Sequence, residues 1–472
     1  MATAVAFGYD WLYNELSAST RTKAANALLK FAFQQAQNKN WNLNFYEATN
    51  NWNQVCNGGL VCAALASYEN NPSEAKDMIE KALESNKPAL EVMYSPDGNY
   101  PEGSGYWCYG TLYQVLMLAA LNSTLGTDNG LSDTPGFSKT AEYMLYMTGL
   151  NSKFFNYSDC APSSTAALAS WWFADKYSNP SLLYNELKML KNGEYASCAE
   201  NRLLPMIMAF ANNLNLDAIS APSNKLWSGK GETPVVMVHT DWTYTDTDKY
   251  LGIKGGKAGS SHGHMDAGSF IFERDGVRWA MDLGMQSYIT LESKGVDLWN
   301  MSQNGQRWEV FRLSNIAHNT LTINGERHLV KSNAPITRTF ESKKQKGAEV
   351  DLSSVFANSV KKVVRTVILD QKDHLEVTDR LETGDKEAAV SWIMVTPAEA
   401  KITGKNRMEL TKDGQRMLLT VDADTEVEMK TWSNVPPHEY DFRNPGTIRV
   451  GFETVIPANR ASQLKVRLIP LK

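Results

Sequence analysis

Near residue 225 the apolar pattern changes period, and that change limits the possible folds more than any other feature of the chain. Before it, apolar residues recur at helical spacing in TRTKAANALLKFAFQQAQN, where Ala24, Leu28, Phe31 and Gln35 share a face. The same spacing continues through VCNGGLVCAALASYE, SEAKDMIEKALESN, GTLYQVLMLAALN, KTAEYMLYMTGL, STAALASWWFADKY, SLLYNELKMLK and RLLPMIMAFANN. Short connections join them as helical hairpins, and nothing before residue 225 reads as a strand. After Glu232 short β-branched runs take over, among them VVMVHT, SFIFER, NTLTIN, VVRTVILD, AVSWIMVT and IRVGFETVI. Asp275-Gly276, Asn324-Gly325 and Asp413-Gly414 are tight-turn dipeptides between such runs. SAPSNKLWSGKGETP, rich in Ser, Gly and Pro, separates the two regimes. Helices followed by strands predict two domains in series, not an alternating α/β fold. The expected multidomain architecture is an N-terminal (α/α) toroid over residues 1–225 and a C-terminal antiparallel β-sandwich over 232–472, with helix pairs stacked around an axis in the first.

Composition narrows the function. The chain has 472 residues, more than one ordinary core accommodates. A formal net charge of −5 provides no global basic field for nucleic acid. No apolar run reaches the ~20 residues of a membrane span, so neither nucleic acid nor a membrane is an expected partner. The opening MATAVAFGYDWLYNEL lacks the basic start of a signal peptide. The five cysteines, Cys56, Cys62, Cys108, Cys160 and Cys198, are odd in number and loosely spaced, which argues against a disulfide framework.

Three stretches carry candidate chemistry. SHGHMDAGSFIFERDGVRWAMD places His262 and His264 one residue apart. On an extended backbone both imidazoles would face one site. The following hairpin would bring Asp282 back beside them, and His318 lies in the strand-like IAHNTLTING. Two imidazoles and a carboxylate are a common zinc set. His264, Asp282 and His318 therefore read as metal ligands, and His262 as the residue facing substrate. The competing reading is that of satisfied core histidines, which suits His239, His328, His374 and His438. NNWNQVCN opens a helix with four asparagines, poor helix formers. Capping accounts for one or two of them, and Asn53 and Asn57 share a helix face. DGNYPEGSGYWCY crowds glycines and tyrosines before a helix, as a sugar-stacking loop or as a surface loop with an aromatic plug.

Together with RLSNIAHNTLTINGE, these stretches resemble the successive signatures of heparinase II/III-like polysaccharide lyases. That resemblance implies an incomplete (α/α) toroid followed by antiparallel β-sandwiches. The opening AFGYDWLYNELSASTRTKAANAL resembles a segment well inside the family's toroid, implying a chain without the first toroid helices. It also implies β-elimination at C4 of a uronic acid in an acidic polysaccharide. Asn51 or Asn53 would neutralise the uronate carboxylate, the register of a helix start leaving both open. Tyr106 and His262 would serve as acid and base, since a phenol titrates near 10 and an imidazole near 6.5. The metal would be a Zn2+ of structural role, orienting the strand that carries His262. The family is periplasmic or secreted, and a homodimer is an open assembly.

Weaker candidates for substrate contact are Trp52, beside the asparagines; Glu102, holding the Tyr106 loop or exposed; Tyr288, lining the cleft; and Arg307, meeting an acidic sugar or lying solvated on an edge strand. Two other functions fit the same residues. A uronate C5-epimerase needs the same proton abstraction, and a non-catalytic glycan-binding protein would keep the fold without the chemistry. A hydrolase fits less well, because Asp97 and Glu102 are the only acidic pair near an aromatic stretch.

Overall fold

The computed structural model describes residues 1–38, 44–245 and 247–471. They divide into two compact units: Met1–Tyr100, Tyr106–Glu142 and Ala166–Ile219 form the first, and Pro101–Gly105, Tyr143–Thr165 and Ser220–Lys472 the second.

The first unit is helical and organised around Asn51–Ala66, which packs against Ala2–Trp11, Pro72–Tyr94 and Leu112–Leu125. Asn50 caps this helix, its side-chain oxygen accepting from the Trp52 N–H at 3.0 Å. Small residues then allow close approach: a Cβ on Gly58 would stand 2.5 Å from the Tyr113 carbonyl oxygen. A polar seam runs through the apolar interior. Asn57 and Asn86 each donate to Asn53 Oδ1 at 3.0 Å, and Asn86 and Gln114 exchange amide bonds at 2.9 and 2.8 Å. Buried amides are tolerable only when paired in this way. The expected helical face around residues 24–35 is shifted. Leu29–Phe33 is a π-turn, whose extra residue rotates Phe31 outward to 69% exposure, so that Ala25, Leu28 and Phe33 are the buried positions.

The second unit holds all the described strands. A five-stranded antiparallel sheet runs in chain order through Leu226–Gly229, Val235–His239, Lys249–Lys254, Phe270–Arg274 and Val277–Ala280. An eight-stranded sheet has the order Glu399–Gly404, Arg407–Lys412, Gln415–Ala423, Ala461–Leu471, Leu375–Glu382, Lys362–Asp370, Gln345–Asp351 and Ile336–Glu341. A four-stranded sheet orders Val427–Ser433, Ile448–Ile456, Ala388–Thr396 and Leu321–Ile323. Inward-facing Val, Leu, Ile, Phe and Trp residues from all three sheets share one apolar core. Asp275-Gly276 and Asp413-Gly414 take positive φ at both positions, as primed hairpin turns require. Asn324-Gly325 has the same backbone but joins no hairpin, because its strand Leu321–Ile323 pairs with Ala388–Thr396 instead.

Residues 143–165 depart from the expected boundary at 225, since they fold with the strands. Arg278 donates to the carbonyls of Phe154 at 2.8 Å and Lys153 at 3.0 Å, and the Tyr250 hydroxyl donates to the Tyr146 carbonyl at 2.8 Å. Two buried groups then tie the sheets together. Asn319 donates to the carbonyls of Phe270 (2.5 Å) and Met281 (3.0 Å) and accepts from the Val395 N–H (2.6 Å). Arg365 pairs with Asp379 through two bonds of 2.7 and 2.9 Å and also donates to the Asn319 carbonyl at 2.9 Å. This lattice fixes the backbone next to His318. Among the described residues, no helix is long and apolar enough to cross a membrane.

Candidate active site

The HGH segment is a turn, not the extended run its spacing suggests. His262 has φ +58°, a left-handed value uncommon outside glycine. The Gly263 N–H closes the turn on the Ser260 carbonyl at 2.8 Å, and a Cβ on Gly263 would lie 2.4 Å from the Ala258 carbonyl oxygen. Backbone held in this region costs on the order of 1–3 kcal/mol and persists where surrounding contacts over-determine it. Here the contacts come from Asp159.

Asp159 is a buried carboxylate on the loop after Tyr157. Its Oδ2 lies 3.2 Å from His262 Nδ1 and accepts from the Tyr288 hydroxyl at 2.9 Å and from Arg307 Nη2 at 3.0 Å. Its Oδ1 lies 2.9 Å from His264 Nε2. Burial pushes the Asp159 carboxyl up, but Arg307 and the bonds from His262 and His264 outweigh it and hold it well below the usual carboxylate range. Both imidazoles thus do meet, through one carboxylate and not through strand alternation.

The remaining nitrogen of His264 points to a second cluster. His264, Asp266 and His318, all buried, each offer a donor atom within 4.8 Å of the others. His264 Nδ1, Asp266 Oδ2 and His318 Nε2 are buried atoms without a hydrogen-bond partner. Three orphaned lone-pair atoms in one place are what a divalent cation would satisfy. This cluster differs in one member from the expected set of His264, Asp282 and His318. Asp282 is occupied elsewhere: one oxygen accepts from His318 Nδ1 at 2.8 Å and the other from the Gly284 N–H at 2.7 Å. It orients His318, as outer carboxylates orient metal-binding imidazoles. Burial lowers the pKa of His264, only partly opposed by Asp159. Burial also disfavours charge on His318, but Asp282 overrides it and raises that pKa. A proton on His318 and a bound cation would therefore compete.

The other expected residues fall in both units. In the second, Glu102 is fully buried, with Oε1 3.8 Å from His262 Nε2, which corrects the exposed alternative. Tyr288 opens the short helix Tyr288–Glu292, and its hydroxyl also lies 3.0 Å from His262 Nδ1. Arg307 is neither on a strand nor solvated. It is fully buried in the 3-10 turn Gln306–Glu309 and donates to the Gly263 carbonyl at 2.9 Å, clamping the HGH turn. In the first unit, Tyr106 is half-buried at the end of the helix Gly103–Tyr106, and Trp52 is half-exposed. Asn53 is fully buried, its Nδ2 donating to the carbonyls of Phe45 at 3.1 Å and Ser85 at 3.3 Å. With its oxygen accepting from two neighbours, Asn53 belongs to the interior seam. Asn51, two residues earlier on the same helix, is also buried.

Sequence reasoning missed three residues. Asp159 stands in SDCAPSS, with no periodic or spacing signal. Asp266 follows the HGH turn closely enough to have been considered. Trp299, half-exposed, lies with its ring centroid 5.7 Å from the His262 ring and 4.9 Å from Tyr288, and is anchored by its indole N–H to Glu292 at 2.8 Å.

Residues 232–465 match the family model described as Heparinase II/III-like, C-terminal. Solved structures extend the likeness to the helical part. A heparinase III crystal structure is 13% identical over 89% of this chain and 61% of that one, with TM-score 0.62. A heparinase III gene product with methylated lysines is 13% identical over 96% and 62%, with TM-score 0.64. The heparan sulfate lyase HepC from Pedobacter heparinus is 11% identical over 96% and 63%, with TM-score 0.61. No curated protein matches at the sequence level. At these identities the likeness establishes the fold: an incomplete toroid followed by antiparallel β-sandwiches. The chain spans a little over three-fifths of the length of these heparinase-like structures.

Proposed function

We propose that this protein is a polysaccharide lyase that cleaves a uronic-acid-containing polysaccharide, a glycosaminoglycan or an alginate-like chain, by β-elimination. The observation that carries the reading is His262. A buried carboxylate engages its Nδ1, so its Nε2 is the nitrogen suited to take a proton, in a domain of the heparinase II/III-like family. Elimination needs the C5 proton removed while the developing negative charge on the uronate carboxylate is stabilised. In this reading His262 is the base and Tyr106 the acid that protonates the departing O4, which becomes the hydroxyl of the leaving sugar. Asn51 is the carboxylate neutraliser, since the amide of Asn53 is already engaged within its own helical unit.

A zinc ion fits beside this chemistry, held by His264, Asp266 and His318, with Asp282 orienting His318. It would supply a fixed positive charge that stiffens the segment following the HGH turn. No proton transfer is assigned to it.

The test is incubation of the protein with a panel of uronate polymers while the near-ultraviolet absorbance of the unsaturated product is followed. The expected result is a signal on at least one polymer, abolished by Tyr106→Phe and by His262→Ala with the fold intact by circular dichroism. Full activity in both variants would overturn the assignment. Deuterium exchange at C5 without chain cleavage would favour the epimerase.

A further inference from the structure

We propose that Asp159 is a positioning residue that sets opposite tautomers on the two histidines of the HGH turn, and so couples proton abstraction at one to metal capture at the other. The inference uses the proposed lyase reading only for its kinetic consequence. The geometry comes first. An ionised carboxylate accepts hydrogen bonds and cannot donate them. Asp159 Oδ2 faces His262 Nδ1 at 3.2 Å, so His262 carries a proton on Nδ1, and in the neutral ring the lone pair is on Nε2, which faces Glu102 Oε1 at the longer distance of 3.8 Å. Asp159 Oδ1 faces His264 Nε2 at 2.9 Å, so His264 carries its proton on Nε2 and its lone pair on Nδ1. That Nδ1 is the buried, unpartnered atom beside Asp266 and His318. One carboxylate thereby aims one imidazole at a proton and the other at a cation.

The neighbours reinforce the assignment. The Tyr288 hydroxyl donates to Asp159 Oδ2 at 2.9 Å, which turns its oxygen lone pairs toward His262 Nδ1 at 3.0 Å. Its own proton is committed, so it too asks His262 to donate from Nδ1. Arg307 Nη2 bridges Asp159 and the Gly263 carbonyl, at 3.0 and 2.9 Å, locking the loop against the turn. The Asp159 backbone N–H donates to the His262 carbonyl at 3.0 Å, so main chain and side chain hold the same residue. Together these contacts supply the restraint that a left-handed His262 requires.

The decisive variant is Asp159→Asn, which keeps the size and introduces an amide donor. That donor can satisfy His262 Nδ1 or His264 Nε2 only as a bare lone pair, which favours the wrong tautomer. Side-chain 15N spectra of metal-free protein are recorded at about pH 8, above the ordinary imidazole range near 6.5. His262→Gln and His264→Gln variants assign the signals. Wild type is expected to show His262 protonated on Nδ1 and His264 on Nε2, with one or both changed in Asp159→Asn. Zinc affinity, titrated with zinc alone, is expected to fall roughly 10- to 100-fold in that variant, the range for loss of a ligand-orienting partner. On whichever uronate polymer wild type cleaves, kcat is expected to fall on the order of 10²- to 10⁴-fold with KM nearly unchanged, as when a histidine base loses its orienting carboxylate. A purely structural Asp159 would lower the melting temperature and leave the tautomers and the kcat-to-KM split alone.

Wild-type His262 protonated on Nε2 would overturn the proposal, as would unchanged tautomers in Asp159→Asn. If that variant does not fold, the wild-type spectrum decides alone. If no polymer is cleaved but the two tautomers are as assigned, the positioning role stands and the lyase reading falls.

Discussion

Asn51 and Asn53 lie two residues apart in the same first helical turn, and the structure predicts opposite phenotypes for them. Asn53→Ala removes an amide that is fully buried. Its Nδ2 bonds to the Phe45 and Ser85 carbonyls and its Oδ1 bonds from Asn57 and Asn86 are lost together. At about 1 kcal/mol net for each neutral bond, four bonds amount to roughly 4 kcal/mol. Two neighbours are not left stranded: Asn57 Nδ2 keeps Ser85 Oγ at 2.9 Å and Asn86 Nδ2 keeps Gln114 Oε1 at 2.9 Å. The expected loss is therefore nearer 3 kcal/mol. For a domain of this size that corresponds to a melting temperature lower by about 6–12 °C. For Asn51→Ala the proposed role predicts a fall in kcat of roughly 10²- to 10³-fold, the scale of one lost donor to a developing oxyanion. Calorimetry and initial rates on the same two preparations give the answer. An Asn53→Ala protein that melts like wild type but is inactive, beside an active Asn51→Ala protein, would refute the assignment of the two asparagines.

Four further outcomes are expected. Arg365→Met would strand the fully buried Asp379 and lower stability by about 3–5 kcal/mol in urea titrations; a loss under about 1 kcal/mol would show that the ion pair contributes little. Burial pushes the His328 imidazole down to about 3. The unfolded chain then binds this proton first as pH falls below about 6.5, so the folded state loses up to about 1.4 kcal/mol per pH unit from that residue, and His328→Gln should show a shallower dependence between pH 6.5 and 5. Chelation should lower melting temperature and activity together, and Asp266→Asn should reduce bound zinc more than Asp282→Asn, measured by elemental analysis; the reverse order would restore Asp282 as the ligand. Trp299→Ala should raise KM roughly 10-fold, the effect of one stacking contact of about 1.4 kcal/mol, with kcat retained; unchanged KM would remove Trp299 from the substrate path.

Much of this molecule is legible from residue order because its signals are local. A period near 3.6 and a period of 2 report which face of a helix or strand is apolar within a single segment, so the helical part, nearly every strand and the turns at Asp275-Gly276 and Asp413-Gly414 follow from short windows. The HGH and HNT segments bring His262, His264 and His318 to notice for the same reason: they are compact strings. Local pattern fails where a π-turn inserts one residue, as at Phe31, and where a loop joins another unit through long-range bonds, as residues 143–165 do. It fails more completely at Asp159. That carboxylate stands 103 positions from His262 and 148 from Arg307, and nothing in SDCAPSS marks it. Only folding brings one acceptor within reach of two imidazoles, a phenol and a guanidinium, and a buried charge declares its purpose through the partners that make its burial tolerable. The same holds for Asp266 against Asp282: each lies near the histidines in sequence, and the choice between them rests on which oxygen is left without a hydrogen bond once the chain has closed around it.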